Sequence, residues 1–324
     1  MVYLLDNLEA TPCCRTIHRN KSHHYRGNMF RRASLGFLGV SAVSAGYTQR
    51  AECARRKSRY TSMDGSTVLI TGASAGIGES CAWKFAELNS KLVLVGRRKH
   101  RLEELKGQIL AEYPQARIHL ESMDVQDTEA CMALPTKLPK EYQNVDVLVN
   151  NAGLALGVAT VANNDIKQGK QMLDTNAMGV IAMTRAFLPG MIKRNRGHVI
   201  NMGSIAGSMF YGTGSMYCAS KAAVQAFTTA GQHDLKDTPV RMTLLSPGLI
   251  GDTEFSVVRF SGDSGKASNV YADIVALHPD DVADDVVYAC TRPAHVQIAD
   301  IKVFATNQSG PKDVARVGPN LGAK

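Results

Sequence analysis

The chain has 324 residues, of which 44% are hydrophobic and 20% charged, a composition typical of a globular protein with a substantial core. The net charge of +8 lies almost entirely in residues 1–64, since residues 65–324 hold 26 Lys/Arg and 25 Asp/Glu. A nearly neutral body argues against a nucleic-acid-binding surface. No apolar run is long enough to predict a membrane span, and the seven cysteines lack metal-ligand spacing. We therefore expect no nucleic acid, no membrane and no metal among the partners.

Residues 1–64 are predicted to form a basic N-terminal extension, followed by one folded domain over residues 65–324. From Met29 to Tyr60, arginines, serines and alanines are frequent and Glu52 is the one acid, which is typical of a mitochondrial transit peptide. A short signal sequence over residues 30–46 and a disordered tail are the alternatives. The predicted location is therefore mitochondrial or cytoplasmic.

From Thr67 onward, short apolar runs alternate with amphipathic stretches. The apolar runs predict strands over residues 67–70, 91–95, 117–123, 145–149, 198–202, 240–245 and 301–305. The stretches between them predict helices ending near residue 88 and covering 98–112, 167–194, 215–235 and 279–291. Continuous apolar strands that alternate with helices indicate a parallel sheet covered on both faces. The predicted fold class is α/β, a single doubly wound Rossmann-type sheet with ligands at the carboxyl ends of its strands.

The first strand runs into a glycine-rich turn, TGASAGIG over residues 71–78, and then into a helix. Glycines let the backbone approach a pyrophosphate, which the free N–H groups of the helix N-terminus then bind. A glycine cluster alone marks many tight turns, but its position between the first strand and a helix favours a dinucleotide site. The predicted cofactor contacts in this turn are Gly72, Ser74, Gly76, Ile77 and Gly78.

The residues after the second strand distinguish NAD from NADP. An acidic residue there would bind the ribose hydroxyls of NAD, but this chain has Arg97 and Arg98. Two guanidinium groups suit a 2′-phosphate, whereas solvated cations at a helix start are mildly unfavourable. NADP is therefore the predicted cofactor. Asp124, after the third strand, is predicted to contact the adenine, and Asn151, after the fourth, the ribose.

Tyr217 and Lys221 are four residues apart in a predicted helix and so share one helix face. A nearby ammonium and an oxidised nicotinamide would both lower the pKa of the phenol and make it a better base. This spacing alone is weak evidence. It gains weight from Ser204, which follows the fifth strand beside the predicted nucleotide crevice, and from Asn176, which is placed to anchor a water between Lys221 and solvent.

The ordered set of motifs resembles the short-chain dehydrogenase/reductase family over about residues 66–308. It comprises TGASAGIG at 71–78, NNAG at 150–153, Asn176, Ser204, Tyr217 with Lys221, and Pro247-Gly248. Segments beginning at Asn151, Thr253 and Thr291 are similar to the branch that acts on serine and related 3-hydroxy acids with NADP. The resemblance implies hydride transfer between NADP(H) and a small 3-hydroxy acid or L-serine-like alcohol, or the corresponding semialdehyde.

The resemblance also implies a role for each matching residue. Tyr217 is the general acid/base, and Lys221 binds the nicotinamide ribose and tunes the tyrosine. Ser204 orients the substrate, and Asn176 supports a proton relay. The backbone between Ile250 and Thr253 contacts the nicotinamide carboxamide. A homotetramer joined through the two long helices and the C-terminal segment is implied as well.

Substrate contacts are predicted at Ser204, Tyr217 and Arg259. Arg259 is the cation of a predicted lid segment, residues 255–260, and suits a substrate carboxylate, although a salt bridge of the lid or between subunits is an equal alternative. Another carbonyl substrate, of the 3-oxoacyl, steroid or xenobiotic class, is the second interpretation of the function. A non-catalytic NADP-binding module is a third.

Overall fold

The computed structural model describes residues 60–316. The stretch whose composition suggested a transit peptide lies, apart from Tyr60, outside these residues. Within residues 60–316, no helix has the length and hydropathy needed to cross a membrane.

Seven strands form one parallel sheet in the order β3-β2-β1-β4-β5-β6-β7. Their bounds are β1 Thr67–Thr71, β2 Lys91–Gly96, β3 Arg117–Ser122, β4 Val147–Asn150, β5 His198–Met202, β6 Arg241–Pro247 and β7 Asp300–Val303. Strands β1, β4 and β5 are buried along their whole length, as expected for a sheet covered on both faces. The predicted doubly wound α/β fold is confirmed. The chain reverses its winding direction between β1 and β4, and this opens a crevice at their carboxyl ends.

Nine α-helices connect or follow these strands in the described part of the chain. They are α1 Gly76–Glu87, α2 Lys99–Glu112, α3 Thr128–Lys137, α4 Ile166–Leu173, α5 Gly179–Lys193, α6 Ser215–Asp234, α7 Phe255–Arg259, α8 Ser264–Tyr271 and α9 Pro279–Cys290. On one face of the sheet the core contains Phe85, Ile109 and Val286 from α1, α2 and α9. On the other face it contains Leu134 of α3 and Met183 of α5. The sheet is therefore covered by helices on both sides.

Three features differ from the sequence prediction. Helix α8, Ser264–Tyr271, was not predicted. Helix α3 was not predicted; it is short, it contains Pro135, and only Cys131 and Leu134 of its residues are buried. The single helix predicted over residues 167–194 is interrupted by a five-residue π-helical segment, Asp174–Met178, between α4 and α5. Such a segment adds a residue to one helical turn and is frequent at functional sites.

The packed part of the chain includes residues that precede residue 65. The backbone N–H of Thr61 donates to the carbonyl of Thr291 at 2.8 Å, and the Ser90 hydroxyl donates to the carbonyl of Met63 at 3.0 Å. Met63 is only 5% exposed and belongs to the core beside α1. The segment just before β1 is thus part of the domain surface and, at Met63, of its interior.

Candidate active site

A cleft of about 560 Å³ lies at the carboxyl ends of the strands. All of the site residues predicted from the sequence line it, except Gly78 and Asn176, which lie behind its wall. The fold therefore brings together residues that are up to 187 positions apart, from Gly72 to Arg259. A crevice at this edge of a doubly wound sheet is the usual ligand site of the fold.

The glycine-rich turn brings its backbone close to the segment after β4. The amide of Asn151 donates to the carbonyls of Thr71 at 2.9 Å and Gly72 at 3.2 Å. A Cβ atom on Gly78 would lie 2.5 Å from this amide nitrogen, and a Cβ on Gly72 would lie 2.8 Å from the Cα of Ala152. Gly72 also has a positive φ of 66°. The turn needs glycine at both positions, and it leaves room for a ligand against bare backbone.

Helix α1 begins at this turn without a side-chain cap on its N-terminus. Its first backbone N–H groups are therefore left for an anion, which the positive end of the helix dipole also favours. Gly76 has a φ of 57°, and a Cβ there would lie 3.2 Å from a methyl carbon of Thr253. Thr253, which precedes α7, thus covers the glycine turn.

Both predicted phosphate-binding arginines line the cleft, but each has a carboxylate beside it. Arg98 Nη1 lies 2.7 Å from Glu254 Oε2, and Arg98 Nη2 donates to Ser74 Oγ at 3.2 Å. Arg97 Nη1 lies 3.6 Å from Asp124 Oδ2. A 2′-phosphate at this end would share the guanidinium groups with these carboxylates or displace them. Glu254 was not singled out in the sequence, because its approach to Arg98 depends on the fold.

These observations fit a dinucleotide with an additional phosphate. The turn needs glycine at Gly72 and Gly78, the N-terminus of α1 is uncapped, and two guanidinium groups lie at the outer end of the cleft. In addition, the buried hydroxyl of Thr175 lines the cleft and has no hydrogen-bond partner within residues 60–316. A buried polar group of this kind is normally satisfied by a ligand or water.

Tyr217 lies at the inner end of the cleft on helix α6. Burial raises the pKa of its phenol, whereas a hydrogen bond with Ser204 and the positive charge of Arg259 lower it by less. The ring of Phe255 packs edge-on against Tyr217 at 5.8 Å between centroids. The sequence predicted a lowered pKa. Without a bound cofactor, the pKa of Tyr217 is instead raised. The side chain is only 8% exposed, and desolvation has the largest effect on its pKa.

Lys221 lies one turn further along α6 and is also buried. Its Nζ donates to the carbonyl of Met202, at the end of β5, at 2.9 Å. Burial lowers the pKa of its ammonium to about 8. Ser204 follows the same strand, and its hydroxyl oxygen accepts a hydrogen bond from the backbone N–H of Ala206 at 3.1 Å. The end of β5 therefore positions both the lysine and the serine beside Tyr217.

Asn176 lies in the π-helical segment and is fully buried. Its Oδ1 accepts from the N–H of Leu154 at 2.8 Å, and its Nδ2 donates to the Leu154 carbonyl at 2.8 Å and to Ser220 Oγ at 3.0 Å. These bonds fix the backbone after β4. A Cβ on Gly153 would lie 3.3 Å from Asn176 Oδ1 and 3.4 Å from Lys221 Nζ. The side chains of Asn176 and Lys221 thus both lie beside Gly153, and this shared neighbour is what connects the two residues in the structure.

The predicted lid segment and the C-terminal part of the chain contribute residues to the part of the cleft near Tyr217, which we call the substrate end because substrate contacts were predicted there. Arg259 Nη1 donates to the hydroxyl of Tyr211 at 3.1 Å, and Arg259 Nε donates to the Gly157 carbonyl at 3.3 Å. Tyr211, Gln308 and Lys312 also line the cleft. No local pattern marks these three residues, because they reach the cleft only through loops that follow β5 and β7.

Comparisons with known proteins agree with this geometry. Residues 66–262 match the family model for short chain dehydrogenases. The NADP-dependent 3-hydroxy acid dehydrogenase YdfG of Escherichia coli O6:H1 is 45% identical over 242 residues, which cover 75% of this chain and 96% of that protein. The NADP-dependent 3-hydroxy acid dehydrogenase of Schizosaccharomyces pombe is 44% identical over 255 residues, which cover 78% of this chain and 98% of that protein.

A solved structure, the closed form of serine dehydrogenase complexed with NADP+, is 44% identical to this chain with a TM-score of 0.71. The likeness covers 75% of this chain and 96% of that one. These similarities span the region from the glycine turn to the lid and extend to nearly the whole length of the relatives.

Proposed function

The chain belongs to the short-chain dehydrogenase family, and from this premise we propose that it transfers a hydride between NADP(H) and a small 3-hydroxy acid or L-serine-like alcohol, or the corresponding semialdehyde. The observation that carries the proposal is that the half-buried Ser204 and the buried Tyr217 and Lys221 line the same nucleotide-sized cleft. The names and the bound NADP+ of relatives at 44–45% identity support the choice of cofactor and substrate class.

NADP(H), when bound, accepts or supplies the hydride. We assign the pyrophosphate to the backbone of Gly72, Ser74, Gly76 and Ile77 at the N-terminus of α1, with Gly78 keeping the turn close to Asn151. At the outer end, Arg97 and Arg98 bind the 2′-phosphate and Asp124 the adenine. Asn151 and Lys221 would hold the ribose of the nicotinamide half, and the backbone from Ile250 to Thr253 would hold the carboxamide.

Tyr217 transfers the proton at its Oη. In reduction the phenol donates its proton to the carbonyl oxygen of the substrate, and burial favours this protonated form. In oxidation a phenolate must accept the hydroxyl proton, so positive charge near Tyr217 is required to offset desolvation. Ser204 holds the substrate oxygen beside Tyr217. Lys221 supplies a positive charge on the same helix face, and Asn176 keeps the backbone around Gly153 in place for the proton relay.

The substrate carboxylate is assigned to Arg259. Its guanidinium carbon lies 6.0 Å from the centroid of the Tyr217 ring, and it forms no ion pair within residues 60–316. A guanidinium at this place supplies charge and orientation to a carboxylate near the reacting carbon. The homotetramer and the mitochondrial or cytoplasmic location stay predictions from the resemblance and the composition.

The experiment that tests the proposal is a substrate panel on the full chain, read by NADPH and NADH absorbance. It includes L-serine, 3-hydroxy acids, the uncharged esters of these hydroxy acids, and carbonyl compounds of the 3-oxoacyl, steroid and xenobiotic classes. We expect the highest kcat/KM with a 3-hydroxy acid or L-serine and a preference for NADP(H) of at least about tenfold, which corresponds to about 1.4 kcal/mol.

Two variants serve as controls in the same assay. Tyr217→Phe should lower kcat by about 10² to 10⁴, the usual contribution of general acid–base catalysis, and retain NADPH binding. The double variant Arg97→Ala/Arg98→Ala should lose far more activity with NADPH than with NADH. If the enzyme prefers an ester or a compound of another carbonyl class, the proposed substrate class is wrong and the preferred class takes its place. The absence of turnover with every compound, despite NADPH binding, would favour a non-catalytic binding module.

A further inference from the structure

The substrate end of the cleft has a second positively charged side chain, Lys312, from the C-terminal part of the chain. Lys312 lines the same cleft as Arg259 and Tyr217. Its Nζ lies 5.3 Å from the centroid of the Tyr211 ring, and the guanidinium carbon of Arg259 lies 5.8 Å from the same centroid. One aromatic ring therefore has two cations beside it, and both cations line the cleft that contains the proposed proton donor.

Neither cation is neutralised by a carboxylate of residues 60–316. Asp313, which follows Lys312, instead accepts a hydrogen bond from Ser309 Oγ at 3.0 Å. At the opposite end of the cleft, Arg97 and Arg98 each have a carboxylate neighbour. The substrate end thus carries uncompensated positive charge, and such a site is complementary to an anionic ligand.

The position of Lys312 is held by a hydrogen-bonded turn. Gln308 is only 6% exposed, and its Oε1 accepts from the N–H of Leu249, just after β6, at 2.9 Å. Its Nε2 donates to the Gly310 carbonyl at 3.1 Å. The turn closes through the backbone bond from Ala315 N–H to the Asn307 carbonyl at 2.9 Å. Because the turn is anchored to the core, the backbone of Lys312 is already in place before a ligand binds, which reduces the entropy lost on binding.

We propose that Arg259 and Lys312 together select hydroxy acids that carry two acidic groups. Arg259 binds one carboxylate of the substrate, and Lys312 binds the other across Tyr211. This inference rests on the proposed function, since it names the substrate class of the same site. Lys312 is exposed, so its contribution to affinity is that of an exposed ion pair, about two- to fivefold.

The test compares 3-hydroxyglutarate with its monomethyl ester, which keeps the hydroxyglutaryl chain but has one carboxylate masked by a methyl group and so one charge less. Oxidation with NADP+ is measured for the wild-type protein and for Lys312→Gln, Lys312→Arg and Lys236→Gln. Lys236 is an exposed lysine outside the cleft and controls for the loss of one positive charge. Calorimetric titration of 3-hydroxyglutarate into the NADP+-bound proteins gives affinity independently of turnover.

We expect the wild type to prefer the dicarboxylate, and Lys312→Gln to lose about two- to fivefold of that preference, mainly through KM. Lys312→Arg should restore the preference, Lys236→Gln should retain it, and added salt should weaken it. Equal effects of Lys312→Gln on both compounds, or no binding of the dicarboxylate, would overturn this inference while leaving the proposed function intact. Lys312-dependent binding without turnover of any hydroxy acid would support the inference and reject the proposed function.

Discussion

At the residue scale, burial disfavours the charged forms of both titratable side chains on the active face of α6. It raises the pKa of the Tyr217 phenol and lowers that of the Lys221 ammonium to about 8. The folded chain thus loses stability through Lys221 at neutral pH. A buried lysine that reduces stability is better explained by a role in catalysis than by a role in packing, since perturbed pKa values concentrate at functional sites.

Lys221→Met is therefore expected to abolish efficient turnover and yet stabilise the cofactor-free protein. A pKa lowered from 10.5 to about 8 corresponds to about 3 kcal/mol of cost below pH 8. Between pH 8 and 10.5 the folded lysine is neutral while the unfolded one is still charged, so wild-type stability rises with pH and the advantage of the variant shrinks. Loss of the hydrogen bond to Met202 offsets about 1 kcal/mol of the gain.

The measurement is urea unfolding of both proteins at pH 7 and pH 10 without cofactor. Lys236→Met, at an exposed position, controls for the removal of one charge. A variant that is less stable than wild type at pH 7, or a difference that does not change with pH, would contradict the assigned burial effect.

At the element scale, the glycine turn and helix α1 form the proposed cofactor cradle. Their close contact with the segment after β4 is possible only because Gly72 and Gly78 lack side chains. Gly78 illustrates this, because it is helical and buried yet has no room for a methyl group against Asn151. Glycine in a helix interior normally reduces stability by about 1 kcal/mol relative to alanine. Here glycine is needed at position 78 because the glycine turn and Asn151 come too close to leave room for a larger residue.

Gly78→Ala should destabilise the protein by about 1 to 3 kcal/mol and weaken NADPH binding, because the added methyl group forces the turn away from Asn151. Gly107→Ala in α2 is the matched control, since nothing lies within 4 Å of its Cβ position. The control should gain up to about 1 kcal/mol and bind NADPH normally. Thermal unfolding measures the change in stability, and fluorescence titration with NADPH measures the change in affinity. A Gly78→Ala variant that is more stable than wild type and binds NADPH with unchanged affinity would contradict the role proposed for this glycine.

At the scale of the whole molecule, the domain includes the residues just before β1. Thr61 is hydrogen-bonded to the loop after α9, and Met63 fills the core beside α1. The near-neutral body and the basic first part of the chain meet close to this segment. The boundary of the stable unit should therefore lie before residue 61.

Two truncations test this boundary. A chain of residues 60–324 should keep the turnover and unfolding midpoint of the full chain. A chain of residues 65–324 should be less stable by about 2 kcal/mol or more, since burial of a Met side chain contributes about this much. Guanidinium unfolding of the three proteins decides, and equal stability of the two truncated chains would show that the packing of Met63 is unimportant.

Much of the fold followed from local sequence features. The seven strands and the glycine turn at residues 71–78 were predicted correctly because apolar runs and turn residues act over a few positions. Helix α3 was not predicted, because it contains Pro135 and its few buried residues give no clear helical periodicity of apolar residues. The π-helical turn around Asn176 escaped because one extra residue in a turn leaves the apolar pattern nearly unchanged.

The sequence by itself determined the fold class and the glycine turn, and it singled out the proposed catalytic residues Ser204, Tyr217 and Lys221, because these signals are short-range or come in a recognisable order. Only the tertiary structure decided which charges meet. The approach of Glu254 to Arg98, and of Lys312 and Arg259 to Tyr211, joins residues about 50 to 160 positions apart. It also decided the direction of the Tyr217 pKa, since desolvation depends on everything packed around a group and leaves no trace in its neighbours along the chain.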